Sequence, residues 1–291
     1  MWWKRNSLSC FEKPKALLKN SNNSLFYDFY KTNPVVYRAV LIYSRHICSF
    51  NVLNKEKITT NWIEFIHNII HRLLITGNAI LDKDLNFYDD QMIILKNETN
   101  KIIGYKIQNH LFNSEEIIHL KMFGSSMGIS PMESAKKSIE AHEEITNFII
   151  ALIQNGGRPS GILSHDEFYG AERIKLLKQE MMNMYNGINK VGSMAFLEGK
   201  YKWEQIGISP EKLNLIEHKQ KFEMEIALAF DIPPIILGLQ QGIYSNYKEA
   251  REQFVYFTVK PLLEYVLEVL NSSFNFQLKI IEENNSTSLI Q

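Results

Sequence analysis

The feature that most constrains this chain is a long helical pattern with a strong start signal. Ser130-Pro131-Met132-Glu133 combines an N-cap serine, proline at the first helical position and glutamate at the third, which is a capping box. Behind it, Ala135, Ile139, His142, Ile145, Ile149 and Leu152 recur every three or four residues until Gly156-Gly157. The spacing predicts a helix of ~25 residues and ~37 Å. Ser209-Pro210-Glu211 opens a second such helix, carrying Leu213, Ile216, Phe222, Ile226 and Phe230 to Asp231. Pro233-Pro234 terminates it, because proline disfavours the helical conformation of the residue before it. Between the two lies a small α/β insertion. RPSGILS reads as extended, and 166–186 as a helix with Phe168, Ala171, Ile174, Leu177, Met181 and Met184 aligned. GSMAFLEG and KYKWEQIG read as a hairpin turning at Gly199-Lys200. Long helices flanking an insertion suit radially arrayed subunits that line a tall channel.

The flanking regions complete an α+β chain. Asn33-Pro34 caps a helix over 33–50 with Val36, Val40, Tyr43 and Ile47 on one face. A helix over 60–76 aligns Ile63, Ile66, Ile70, Leu73 and Leu74 and stops at Gly77-Asn78. AILDK, GYKIQ and EIIHLKM then read as strands of a small sheet. After the prolines comes the glycine-spaced loop GLQQGIYS. Asn246 caps a last helix, with Glu249 as its third residue, running to about Asn271. Pro261 predicts a kink within it. The final ~17 residues are polar and read as frayed.

The chain has 291 residues, with 32 Lys+Arg balanced by 32 Asp+Glu. Strong DNA affinity needs a basic surplus that this balance lacks, so any DNA contact would be local or steric. Hydrophobic residues make up 45%, enough for a core and against a disordered tail. Cys10 and Cys48 cannot build a disulfide framework, and MWWKRNSLSCFEKPK lacks the apolar stretch of a signal peptide. FIIALI and IPPIILGL fall short of the ~18 apolar residues of a membrane span. A soluble protein made in a reducing cytoplasm is expected.

Catalytic signatures are weak. His67 and His71 have the i, i+4 spacing of paired zinc ligands, but Asn68 stands where zinc hydrolases place glutamate. Half-buried histidines on a helix face are the preferred reading, and a metal-dependent hydrolase is the remote alternative. Gly156-Gly157-Arg158-Pro159-Ser160-Gly161 lacks the Lys-Ser/Thr ending of a phosphate loop and follows a helix, so it reads as a turn. G-x-S-x-G does not occur. EAHEEIT (140–146) reads as a solvated helix face. No enzymatic activity, cofactor or metal is expected.

In order, NPVVYRAVLIYSRHICSF, LLITGNAIL (73–81), EEIIHLKMF with GISPMESAKKSI (115–139), FIIALIQNGGRPSGIL (148–163), GSMAFLEGKYKWEQIGISPEK (192–212) and EIALAFDIPPIILGLQQGIYSNYKEAREQFVYFTVKPLLEYV (225–266) resemble phage portal proteins of the Hong Kong 97 type. The resemblance implies a non-enzymatic subunit of a dodecameric ring at a capsid vertex, assembled in a host bacterial cytoplasm. Through such a ring double-stranded DNA enters and leaves without sequence specificity. It implies docking to the terminase large subunit, a head–tail adaptor and the major capsid protein, with no membrane.

Residues 1–129 would then be the wing, 130–157 and 208–238 the stem helices, and 158–207 the clip. Gln240, Gln241, Gly242, Ile243, Tyr244, Ser245 and Asn246 would belong to the 239–246 tunnel loop. Residues 247–272 would be the long kinked helix, and 273–291 a tail with the crown nearly absent. The loop carries no charge, so it could touch DNA without a salt-dependent grip. A prophage or a gene-transfer particle would equally encode such a chain. Another structural ring or adaptor protein of a phage particle is the nearer alternative.

Overall fold

A computed structural model describes residues 16–19, 23–58, 61–88, 92–99, 101–107, 110–124, 126–154, 161–165, 170–185, 200–205, 214–241, 244–274 and 276–281. The chain divides into two compact units, Met1–Lys137 with Met224–Gln291, and Ser138–Glu223.

The first unit begins with β1 (Ala16–Lys19), α1 (Asn23–Thr32) and α2 (Pro34–Cys48), followed by β2 (Val52–Leu53), a short 3₁₀ turn and α3 (Trp62–Thr76). Asn33 starts α2 as its sequence predicts: its Oδ1 accepts from the backbone N–H groups of Val35 and Val36 at 3.1 and 3.3 Å. Val36, Ala39, Val40 and Ile47 of α2 are buried, as are Ile66, Ile69, Ile70, Leu73 and Leu74 of α3, and the two helices pack together. Ile63, aligned with that stripe by spacing alone, is instead exposed. The buried face of α3 is set by Trp62, Phe65 and Ile69, one step around the helix. Gly77 ends α3 in the left-handed region at φ 77°.

Five strands follow: β3 (Asn78–Asp82), β4 (Met92–Lys96), β5 (Ile102–Ile107), β6 (His110–Asn113) and β7 (Ile117–Lys121). β1, β4, β5 and β6 form an antiparallel sheet in that order, and β3 pairs antiparallel with β7. Between them Ile80, Met92, Ile94, Tyr105, Ile107 and Ile117 close a second apolar core.

Next come α4 (Pro131–Gln154), β8 (Gly161–His165), α5 (Ala171–Tyr185), β9 (Tyr201–Gln205) and α6 (Leu215–Ala229). α4 matches the helix read from the capping box: Ser130 Oγ accepts from Glu133 N–H at 3.1 Å. Within the second unit, β8 pairs antiparallel with β9. The GSMAFLEG arm of the expected hairpin lies outside the described residues, as do Ser209 and Pro210. In the same unit His142 Nε2 meets Glu223 Oε1 at 3.3 Å, tying α4 to α6. Two residues of the expected apolar stripes, Ile174 on α5 and Ile216 on α6, are exposed.

The first unit resumes with the rest of α6, then α7 (Pro234–Leu237), α8 (Tyr244–Phe254), a π-helical turn (Val255–Val259), α9 (Lys260–Phe274) and β10 (Lys279–Ile280). The expected frayed tail is ordered at its start. β10 pairs with β2, Leu278 is buried, and Asn271 both donates to and accepts from the Leu278 backbone.

Candidate functional site

The segment FDIPPIILG turns the chain from α6 to α8 through two successive helix ends of the same design. At the first, Ile232 N–H donates to Ala227 O at 3.0 Å and Asp231 N–H to Leu228 O at 2.9 Å. This is a Schellman motif, whose C′ residue must enter the left-handed region. Here that residue is Asp231, at φ 53°. At the second, Leu239 N–H donates to Pro234 O at 3.0 Å and Gly238 N–H to Ile235 O at 3.1 Å, with Gly238 at φ 78°. Helix α6 therefore ends at Ala229, closed by the Asp231 turn rather than by the prolines assigned that role by sequence. Pro233 instead stands at the N-cap of α7 and Pro234 at its first position, where a missing N–H costs nothing.

The corner is anchored on both sides. Tyr43 of α2 donates its hydroxyl to the Phe230 carbonyl at 2.6 Å, satisfying an orphan acceptor at the end of α6. Burial raises the Tyr43 phenol above its ordinary pKa, so it is a permanent donor at physiological pH. Its ring meets Phe254 edge-on at 5.2 Å. Thr258 Oγ1 donates to Asp231 Oδ2 at 2.7 Å, which joins the corner to the π turn.

Beyond Gly238, Gln240 and Gln241 are exposed, whereas Gly242 and Ile243 lie outside the described residues. Tyr244, Ser245 and Asn246 are already the first turn of α8. The expected tunnel loop is thus shorter than 239–246, and Asn246 is not the N-cap of the helix. A helix that starts three residues earlier gains backbone bonds and packs against α7, which outweighs a local capping pattern. Where Pro261 predicted a kink, the backbone widens into a π turn just before it. Lys260 N–H donates to Val255 O, five residues back. Pro261 brings no N–H and its ring crowds the carbonyl four residues before it, so a wider turn relieves the clash.

A second cluster joins two stretches that are far apart in sequence. The Asn78 carboxamide pairs with both backbone groups of Gly128: Oδ1 accepts at 2.8 Å and Nδ2 donates at 3.1 Å. Oδ1 also accepts from His119 Nε2 at 2.9 Å. A Cβ on Gly128 would stand 2.0 Å from Gly77 O, so glycine is required there. These contacts fix the start of α4 against the end of α3. They were invisible in sequence, where Gly77-Asn78 reads only as a helix stop.

His67 and His71 stack at 5.9 Å, and His71 also meets Tyr30 edge-on at 4.7 Å. Burial, then the neighbouring His67 and Arg72, push His71 down to about 4. Among the described residues no three His, Cys, Asp or Glu side chains gather closely enough to hold a metal ion. No helix of the described residues is long and apolar enough to cross a membrane.

An α+β unit, a small α/β unit, the helices α4 and α6 that the chain runs through between them in sequence, and a proline-built corner are the parts of a portal-type fold. The sequence matches the family described as "Phage portal protein" over residues 49–287, and the chain belongs to that family. It is 24% identical over 217 residues to the portal protein of Enterobacteria phage HK97, covering 69% of this chain and 51% of that protein. It is 26% identical over 250 residues to an uncharacterised protein of Rickettsia bellii (strain RML369-C), covering 78% and 65% respectively. The match thus spans between half and two thirds of the length of these curated relatives. Among solved structures, a chain in the neck of the native gene transfer agent particle, computed with C12 symmetry, superposes with a TM-score of 0.66 at 25% identity. That superposition covers 91% of this chain and 85% of the neck chain.

Proposed function

We propose that this protein is a non-enzymatic portal subunit, forming a ring at a capsid or particle vertex through which double-stranded DNA passes. The observation that carries the reading is the family match together with the likeness to a chain of a twelvefold-symmetric neck. In this reading residues 1–129 form the wing, α4 and α6 the stem, and 158–207 the clip that meets the terminase large subunit and later a head–tail adaptor. The major capsid protein surrounds the ring within the virion. Gln240 and Gln241, exposed after the Gly238 helix end, stand at the channel.

Net neutrality suits a conduit. DNA must slide, and every unpaired cation at the channel wall would add a salt-dependent grip on phosphate. Two experiments test this in a particle-producing system. Particles made without this chain should hold no DNA; DNA-filled particles in its absence contradict the portal reading. The pair Gln240→Lys and Gln241→Lys should leave assembly intact and slow DNA translocation, most strongly at low salt. Unchanged translocation at every salt concentration would remove these residues from the channel.

A further inference from the structure

A groove of about 340 Å³ runs between α9 and β10, with Leu267, Leu278 and Ile280 supplying its apolar surface. Its strand side is a sheet edge, and the register fixes which backbone groups that edge offers. Ile281 N–H donates to Asn51 O at 2.8 Å, so Ile281 and, two residues back, Lys279 turn their backbone groups to β2. Antiparallel strands alternate such pairs with pairs that exchange no bond. Leu278 and Ile280 therefore turn their N–H and C=O groups to the opposite edge.

At Leu278 that edge is closed by a side chain. Asn271 of α9 donates from Nδ2 to Leu278 O at 2.9 Å and accepts the Leu278 N–H on Oδ1 at 2.7 Å. This is the exchange that a residue of a neighbouring strand would make. No described residue does the same for Ile280, one rung further on. A donor and an acceptor at strand spacing, next to a rung already built, fit an extended backbone.

The helix wall adds a side-chain preference. Glu264 and Glu268 stand one turn apart on it. Lys260 pairs with Glu264 at 3.9 Å, whereas the exposed Glu268 has no ion pair among the described residues. Lys279 also borders the groove, but strand alternation turns its side chain to the other face of β10 from Leu278 and Ile280. Two carboxylates repel phosphate, which makes nucleic acid the unsuitable occupant.

We infer that the β10 edge is a strand-addition site for an extended segment of a partner protein, one in which β-branched residues flank a Lys or Arg. The Ile280 backbone makes the second rung, the apolar surface of the groove covers the β-branched side chains, and Glu268 pairs with the cation. The site needs one copy of the chain only, so it stands apart from the ring reading.

The test follows fluorescence anisotropy of two labelled peptides, Thr-Val-Lys-Val-Thr-amide and Thr-Val-Glu-Val-Thr-amide, titrated with the full chain. The Lys peptide should bind saturably and at least about fivefold more tightly than the Glu peptide, the size of one charge-assisted contact. Glu268→Lys, at an exposed position, should reverse that order. Ile280→Pro removes only the N–H of the outer edge, where proline is tolerated, and should weaken the Lys peptide by at least about fivefold. Ile280→Val keeps the N–H and should bind as wild type, and circular dichroism checks that each variant is folded. No saturable binding, equal binding of both peptides, or binding indifferent to Glu268→Lys and Ile280→Pro overturns the site. Loss of self-association in folded Ile280→Pro, with neither peptide bound by the wild type, gives the edge to a second copy and also overturns it.

Discussion

His119 shows how one residue's environment sets a property of the whole protein. Its Nε2 donates to Asn78 Oδ1, and Tyr105 Oη lies 3.4 Å from Nδ1, an arrangement that suits the neutral ring. Burial, then Lys121, push its pKa down to about 4. His71 is lowered in the same direction, also mainly by burial. In the unfolded chain both rings titrate near ~6.5. Between that value and 4 the unfolded state therefore binds more protons than the folded one, and acidification favours unfolding. Stability should be full above pH ~6.5 and fall as pH drops towards 4. Denaturant midpoints measured from pH 7.5 to 4.5 check this, and His119→Gln should flatten part of the slope. A midpoint that rises on acidification would contradict the assigned burial of these rings.

At the scale of elements, the corner between α6 and α8 carries the clearest local logic. Asp231 occupies a left-handed position that favours glycine, and it is held there by Thr258. Asp231→Gly relieves backbone strain while losing one hydrogen bond, so stability should change by less than about 1 kcal/mol. Asp231→Val retains neither advantage and puts a β-branched side chain at positive φ. It should cost about 2 to 3 kcal/mol, read as a lower denaturation midpoint. If the two variants were equally stable, Asp231 would not be the residue that ends α6.

The elements also differ in how far the sequence alone reveals them. α2 and α4 are legible because their start signals, Asn33 and Ser130, act within three residues, whereas α3 is legible from its apolar stripe and its Gly77 stop; its Asn61 cap emerges only in the structure. Strand pairing is another matter. β10 meets β2 across more than two hundred residues, and its anchor, Leu278, is a single apolar residue in a polar stretch with no period to detect. The same limit hid the clasp between Asn78 and Gly128, since a carboxamide that pairs with backbone leaves no pattern. At the candidate channel the glycine-spaced loop was legible, but its end was not. The Asn246–Glu249 signature describes one possible start of α8, and packing on α7 favours an earlier one.

At the scale of the whole molecule, several apolar side chains fail to find cover within one copy. Phe148, Ile150 and Ile153 on the 24-residue α4, and Ile216 and Leu228 on α6, are exposed. Such helices make sense in a chain whose neighbours supply the missing contacts, which is the reading that the portal family membership supports. Negative-stain electron microscopy of the purified chain, with its mass by light scattering, tests that central claim most directly. The account predicts closed rings with a central hole and a mass near twelve times 34.0 kDa, matching the symmetry of the related neck. A single folded species of 34.0 kDa at every concentration would contradict it.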